Sequence, residues 1–504
     1  MKKVKKKRHL FITLFLIVLL LAGCGGSSQA ETVQNDTVQT QNENVSAGAH
    51  VLDTGSTSSA DVHVLYADKT AQAAAQEHDQ EENPNPADRL RSLSHEGYIL
   101  EQVVVLSRHN IRSPMSGSGS VLTEITPHEW ISWTSNPSEL SLRGGALETM
   151  MGQYFRRWAE KERLFPENYQ PDDSSVRIYA NAKQRTIATA QFFATGLLPT
   201  AGLEVETHVE YDSMDPTFKP QLTFVNNAYT RDVESQVKEL YGDDIASLAD
   251  NYRLLEDVID MEDSPAWRSG EAASLRTDDT ELILKLNEEP NLSGSLKMGG
   301  RISDALVLQY YEEQDDEKAA FGHVLTKEQW QKVSEVKDTY QEILFATPLL
   351  APNVAHPLLI EVKDELENQN RKFSFLCGHD SNIGSVLASL GAEDYTLPDS
   401  IEKKVPIGSK LVFSRWTDAD SNAWISVNLV YQAADQLRGL TLLDIDTPPA
   451  IFPIALKHLE MNADGLYAAQ DVMNRFDQAI TEYGEIIKKY EKGDDSASPA
   501  ESNF

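Results

Sequence analysis

Residues 103–114 read VVVLSRHNIRSP. The run Val103 to Leu106 has the β-branched, apolar texture of a buried strand. It ends in His109 bracketed by Arg108 and Arg112. Cations crowded at the end of such a strand are costly unless they face water, a partner or a ligand. Two readings stand at this point: a strand leading into a solvated basic turn, or a strand delivering charged groups to a bound anion.

Two further strand-like segments end the same way. VRIYAN (176–181) is followed by Arg185-Thr186, and FSFLC (373–377) by Gly378-His379-Asp380-Ser381-Asn382. In α/β sheets, ligands bind beyond the carboxyl ends of the strands, next to helix N-termini. Three arginines and two histidines gathered there make an anion site. A phosphoryl group suits it, because the guanidinium fork matches phosphate oxygens and neutralises their charge. A histidine among arginines is kept neutral, and a neutral imidazole is a nucleophile. Asp380 supplies a carboxylic acid able to protonate a leaving oxygen.

The segments between alternate in period. LRGGALETMMGQYFRRWAEKERLF places Leu147, Met151, Tyr154, Phe155 and Trp158 on one helical face. KQRTIATAQFFATG reads as a helix with Gly196 as its stop. ESQVKELYGDDIASLADNYRLLEDVI and TKEQWQKVSEVKDTYQEILFA are amphipathic helices, and IGSVLASLG is a helix after the FSFLC strand. KLVFSRWTDADSNAWISVNLVYQ alternates as a hairpin turning at Thr417–Asn422. The expected fold class is α/β: a central, mostly parallel sheet flanked by helices, with a mainly α-helical inserted second domain. The α/β domain is assigned to residues 97–199 and 366–490, the insertion or cap to 200–365, and a disordered tail to 491–504.

MKKVKKKRHL followed by FITLFLIVLLLAGC is a basic region, an apolar stretch and a small-residue site. This is the layout of a secretory signal over residues 1–23. Leu21-Ala22-Gly23-Cys24 resembles a bacterial lipobox, with Cys24 as the lipidated residue. The alternative, a plain transmembrane anchor, suits the run less well because it is short for a bilayer. Residues 24–96 are polar, without periodicity, and read as a flexible tether, with AQAAAQEH a transient helix at most. The expected location is therefore extracytoplasmic, with the chain held at the cell membrane by lipid.

A hydrophobic share of 40% in 504 residues allows a large core, and the net charge of −33 makes nucleic acid a poor partner. With Cys24 committed to lipid, Cys377 is left alone in an apolar run and reads as a buried, inert thiol. No metal or other cofactor is expected. DADSN (418–422) fails as a calcium loop because Ala423 and Leu429 stand at its sixth and twelfth positions, and His128-Glu129 lacks a second histidine at zinc-protease spacing.

RHNIRSP with the later GHDSN resembles the histidine acid phosphatases, the phytase-containing branch of the histidine phosphatase superfamily, and most of all their bacterial glucose-1-phosphatase subgroup. LRGGALETMMG, YANAKQRTIATAQFF, MDPTF, EEPNLSGSLKMG, LQYYEE and PIGSKLVFSRW extend the resemblance from Tyr98 to Ile480. The common signature has glycine after the Arg-His pair. Here it is Asn110, which tolerates a left-handed backbone.

The resemblance implies that His109 forms a phosphohistidine and that Arg108, Arg112, Arg185 and His379 bind the phosphoryl group. It further implies that Asp380 donates the proton to the leaving alcohol, and that Glu289 stands at the substrate entrance. The implied substrate is a small phosphomonoester, either glucose 1-phosphate or an inositol phosphate. The alternatives are a dedicated phytase and a non-catalytic lipoprotein that binds phosphate esters.

Overall fold

The computed structural model describes residues 92–115, 121–277 and 279–494. The segments 1–23 and 24–91, with Cys24, and the final residues 495–504 lie outside the described residues.

The strands are β1 (Ile99–Arg108), β2 (Val176–Ala180), β3 (Val205–Glu206), β4 (Leu282–Ile283), β5 (Asn291–Leu292), β6 (Phe373–Gly378), β7 (Lys410–Thr417), β8 (Ala423–Tyr431), β9 (Ala450–Pro453) and β10 (Tyr467–Ala468). The helices used below are α1 (Leu142–Lys161), α2 (Gln184–Leu197), α3 (Asn227–Ser247), α4 (Gly294–Glu312), α5 (Lys327–Phe345), α6 (Ala351–Glu367), α7 (Asp380–Ser389) and α8 (Ala469–Asp494). The main sheet runs β10-β8-β7-β1-β6-β2-β3, with β9 on β8. β1, β6, β2 and β3 are mutually parallel, and the expected hairpin β7–β8 packs antiparallel onto the other side of β1. The architecture is the expected mixed sheet with mostly parallel strands between helices.

β1 is apolar without alternation because both sheet faces are covered. Val103 and Val105 pack with Phe155, Trp158 and Phe193 of α1 and α2. Val104 and Leu106 pack with Leu358, Leu359 and Ile383 of α6 and α7, in a cluster that also takes in Phe476 of α8. α6 falls inside the stretch expected to be an insertion, yet it covers the sheet. A third cluster joins Leu255, Leu306, Trp330 and Val336 of the helical stretch to Ile111, Leu147, Ile401 and Ile407.

Three local expectations change. Gly196 does not stop α2 but lies within it, because a Cβ there would stand 2.2 Å from the Thr149 carbonyl oxygen of α1. The tether does not reach residue 96: Leu93 is buried and the His95 ring meets the edge of Trp416. The tail does not begin at 491, since α8 continues to Asp494. In the first two cases a tertiary contact overrides a compositional signal too short to read.

Candidate active site

Strand register builds the site. Arg108 is opposite Gly378 in the β1–β6 pair, and Ala180 is opposite Cys377 in the β2–β6 pair. The three strands therefore end level. His109 N–H donates to the Gly378 carbonyl at 3.1 Å, and Asn181 N–H to the Cys377 carbonyl at 3.0 Å. α7 starts directly after β6 with His379 as its N-cap, and α2 starts just after β2 with Arg185 in its first turn. The result is a cavity of about 750 Å³ whose wall includes His109, Arg112, Arg185, Glu289, His379 and Asp380.

His109 is buried, and its Nδ1 lies 2.9 Å from the Asn110 carbonyl oxygen. A carbonyl only accepts, so Nδ1 carries the proton and Nε2 keeps its lone pair. Burial, then the charges of Arg185 and Arg112, hold this imidazole well below the usual histidine range, so it is neutral. The His379 ring stands edge-on to it, 5.5 Å between centroids. His379 Nε2 accepts from Asn181 Nδ2 at 2.7 Å, and the Asn181 amide is oriented by the Asp215 N–H on its Oδ1 at 3.0 Å. Burial, then Arg185, keep His379 neutral as well.

The arginines differ. Arg112 donates through Nη2 to Asp304 at 3.0 Å and lines the cavity. Arg185 also lines it. Burial, then the neighbouring Arg112, lower its guanidinium to about 10, although Asp380, Asp304 and Asp212 oppose the shift. Arg108 lies one layer behind. Its Nη1 bonds Glu402 at 2.7 Å and the Val405 carbonyl at 2.6 Å, and its Nη2 pairs with Asp380 at 3.1 Å. Lys337 reaches the same Glu402 at 2.7 Å. Burial alone would raise the Asp380 carboxyl, but Arg108, Lys337 and the Ser381 N–H hold it down to about 2.

Glu289 stands at the mouth and keeps solvent contact. The cavity wall and then the Asp380 charge push its carboxyl up to about 7, against Arg185 and Lys219.

Asn110 is not among the residues with positive φ. Its side chain is used instead: Nδ2 donates to Glu148 at 2.8 Å and Oδ1 accepts the Ile111 N–H at 2.9 Å. Asn181, Asp304, Lys337 and Glu402 carry no spacing signal in the sequence. Asn181 does sit in YANAKQRT beside Arg185, the one cue that could have found it. Among the described residues, no group of three or more His, Cys, Asp and Glu is placed to hold a metal ion. Cys377 is buried, and burial pushes its thiol upward.

The profile of the Histidine phosphatase superfamily (branch 2) matches residues 99–432. The glucose-1-phosphatase of Providencia rettgeri is 36% identical over 389 residues, covering 76% of this chain and 92% of its own. That of Salmonella typhimurium is 37% identical, covering 73% and 90%. Among solved structures, Hafnia alvei phytase in complex with myo-inositol hexakis sulphate superposes with a TM-score of 0.68 at 25% identity, over 77% of this chain and 98% of that one.

Proposed function

This chain belongs to the histidine phosphatase superfamily, branch 2, and from that premise we propose a two-step phosphomonoester hydrolysis through His109. The observation that carries the reading is the His109 ring, neutral and with Nε2 unprotonated, in a cavity wall shared with Arg112 and Arg185. Arg112 and Arg185 hold the phosphoryl oxygens, and Nε2 attacks phosphorus as the P–O bond to the alcohol breaks. Arg108 joins when an incoming phosphoryl oxygen replaces Asp380 on Nη2. Asp380 then loses a cation and gains an anionic neighbour, so its pKa climbs and it can carry a proton to the leaving oxygen. The same carboxylate afterwards accepts a proton from the water that cleaves the phosphohistidine.

Quenching with radiolabelled substrate should trap an acid-labile, base-stable label on His109. His109→Ala should lose the label and at least roughly a thousandfold in rate. An alanine variant that labels fully would falsify the assignment.

The substrate reading that fits the two glucose-1-phosphatase relatives is a sugar phosphate such as glucose 1-phosphate. A second reading, inositol polyphosphates, draws on Lys219, Lys297 and Arg301 at the cavity wall, with Lys219 Nζ donating to the Asn287 carbonyl at 3.3 Å. Cations beyond those needed for one phosphoryl group suit a second one. Glu289 and Asp304 on the same wall weigh toward the sugar phosphate. Competing the two substrates under kcat/KM conditions separates the readings.

The location belongs to the same proposal: lipidation at Cys24 holds the enzyme outside the cytoplasmic membrane. Cys24→Ser should shift the protein from the membrane fraction to the soluble one, or leave it unprocessed. Equal partitioning of both forms would count against lipidation.

A further inference from the structure

Behind His109 lies a buried ion pair to which the hydrolytic mechanism gives no part. Glu148 of α1 and Lys410 at the start of β7 are both fully buried, with Nζ 2.9 Å from Oε1. Such a pair loses much of its Coulombic gain to desolvation, and apolar residues of equal size are often as stabilising. Its stability contribution is thus a weak explanation for its presence, and its placement is the informative part.

The pair closes a ring of bonds around one peptide group. Glu148 Oε2 accepts from Asn110 Nδ2 at 2.8 Å and from Lys410 Nζ at 3.1 Å. Lys410 Nζ donates to the Gly408 carbonyl at 2.7 Å, and the Gly408 N–H donates to the His109 carbonyl at 3.1 Å. On the other side, the Asn110 N–H donates to Thr189 Oγ1 at 3.1 Å. Gly408 has φ +68°, and a Cβ there would stand 2.6 Å from Asn110 Nδ2, so any larger residue would push the amide off the carboxylate. The segment His109–Asn110 is gripped at the His109 carbonyl, the Asn110 amide N–H and the Asn110 side chain. What remains of it is the Asn110 carbonyl, which faces His109 Nδ1.

We propose that Glu148 and Lys410 are positioning residues for the nucleophile: by fixing Asn110 they aim its carbonyl at Nδ1, which keeps the ring proton there and the Nε2 lone pair toward the phosphoryl group. The residue at 110 is then asparagine for a stated reason, since a glycine offers no amide to the buried carboxylate. Glu148 and Lys410 touch neither the cavity nor the reacting atoms. Their effect belongs on the chemical step and on the histidine tautomer, with little on phosphate affinity. The inference rests on the phosphohistidine reading above.

The test uses the full chain carrying Glu148→Gln with Lys410→Met, which removes both charges together and so leaves no buried ion unpaired. Asn110→Ala is the second variant. It keeps the ion pair and cuts its link to the peptide, so it reports even where the double variant does not fold. Each folded variant is assayed for vanadate binding, for the single-turnover rate of His109 phosphorylation, and for the ¹⁵N shifts of the His109 ring.

The expected result is vanadate affinity within about threefold, phosphorylation slowed at least about tenfold, and ring shifts moved toward a mixture of tautomers. Phosphorylation at the wild-type rate with unmoved ring shifts in the folded Asn110→Ala chain overturns the inference. So does an equal loss of vanadate affinity and rate, the mark of a general structural lesion. Failure of the wild-type protein to label on His109 would instead sink the reading on which it rests.

Discussion

Asp380 rests as a carboxylate, held at about 2 by Arg108 and Lys337 against its burial, while the proposed chemistry asks it to donate a proton. Substrate charge displacing it from Arg108 resolves the conflict, and two measurements follow. Positioned acid catalysis is worth ~10²–10⁴-fold, and it matters most for a poor leaving group. In single turnovers, Asp380→Asn should therefore slow phosphorylation by glucose 1-phosphate at least about tenfold more than by p-nitrophenyl phosphate, whose phenolate leaves unaided. Equal losses would remove Asp380 from the acid role and turn attention to Glu289, whose carboxyl is pushed upward. The second measurement is linkage. The folded value of about 2 lies below the free value of 3.8, so the carboxylate stabilises the fold above the free value and that stabilisation is lost as pH falls through the folded one. The difference in urea stability between wild type and Asp380→Asn should be flat above about pH 4 and shrink toward pH 2. At this scale the sequence was legible where charge followed a strand: His109, Arg112, Arg185, His379 and Asp380 do meet. It gave no sign that Arg108 starts one layer behind the wall, paired with Asp380, and was silent on Glu402, 294 residues away in sequence, because long-range pairing leaves no local mark.

α1 and α2 cross in backbone contact. A Cβ on Gly152 would lie 2.2 Å from the Phe193 carbonyl oxygen, and one on Gly196 equally close to that of Thr149. Gly196→Ala should therefore force the helices apart and cost about 1–3 kcal/mol, read as a lower urea midpoint. Gly484 of α8 meets nothing within 4 Å, so Gly484→Ala should raise the midpoint by the helix propensity gain, about 0.5–1 kcal/mol. Opposite signs for one chemical change would tie the effect to the crossing. The hydrophobic period found α1, α2, α5 and the β7–β8 hairpin because each buries one continuous stripe or alternates in register. It took Gly196 for a stop because a glycine that ends a helix and one that admits a neighbouring backbone look alike in one dimension.

For the whole molecule, composition announced a large core and an acidic surface, and the apolar periods gave the layers. How far the sheet would recruit α6 from the helical stretch was not readable, since an apolar helix face does not name its partner. All the residues assigned a part in the reaction lie between positions 108 and 410. A chain beginning at residue 92 should thus keep its kcat with p-nitrophenyl phosphate while losing any partition into membranes. Prolonged chelation should leave the rate of the full chain unchanged. Activity abolished by a chelator and restored by a divalent ion would contradict the mechanism.

Arg112 and Arg185 share the cavity wall, and Arg112 raises the cost of the Arg185 charge. Any tetrahedral oxyanion between them relieves that tension, and the released inorganic phosphate has the same tetrahedral oxygens to offer as the ester. Inorganic phosphate should therefore compete with the ester for this seat, seen as a rise in KM with kcat unchanged when phosphate is added. On that expectation the clamp would empty in a phosphate-starved setting and fill in a replete one. Nutrient status would then be read directly at the catalytic wall, without a separate sensor.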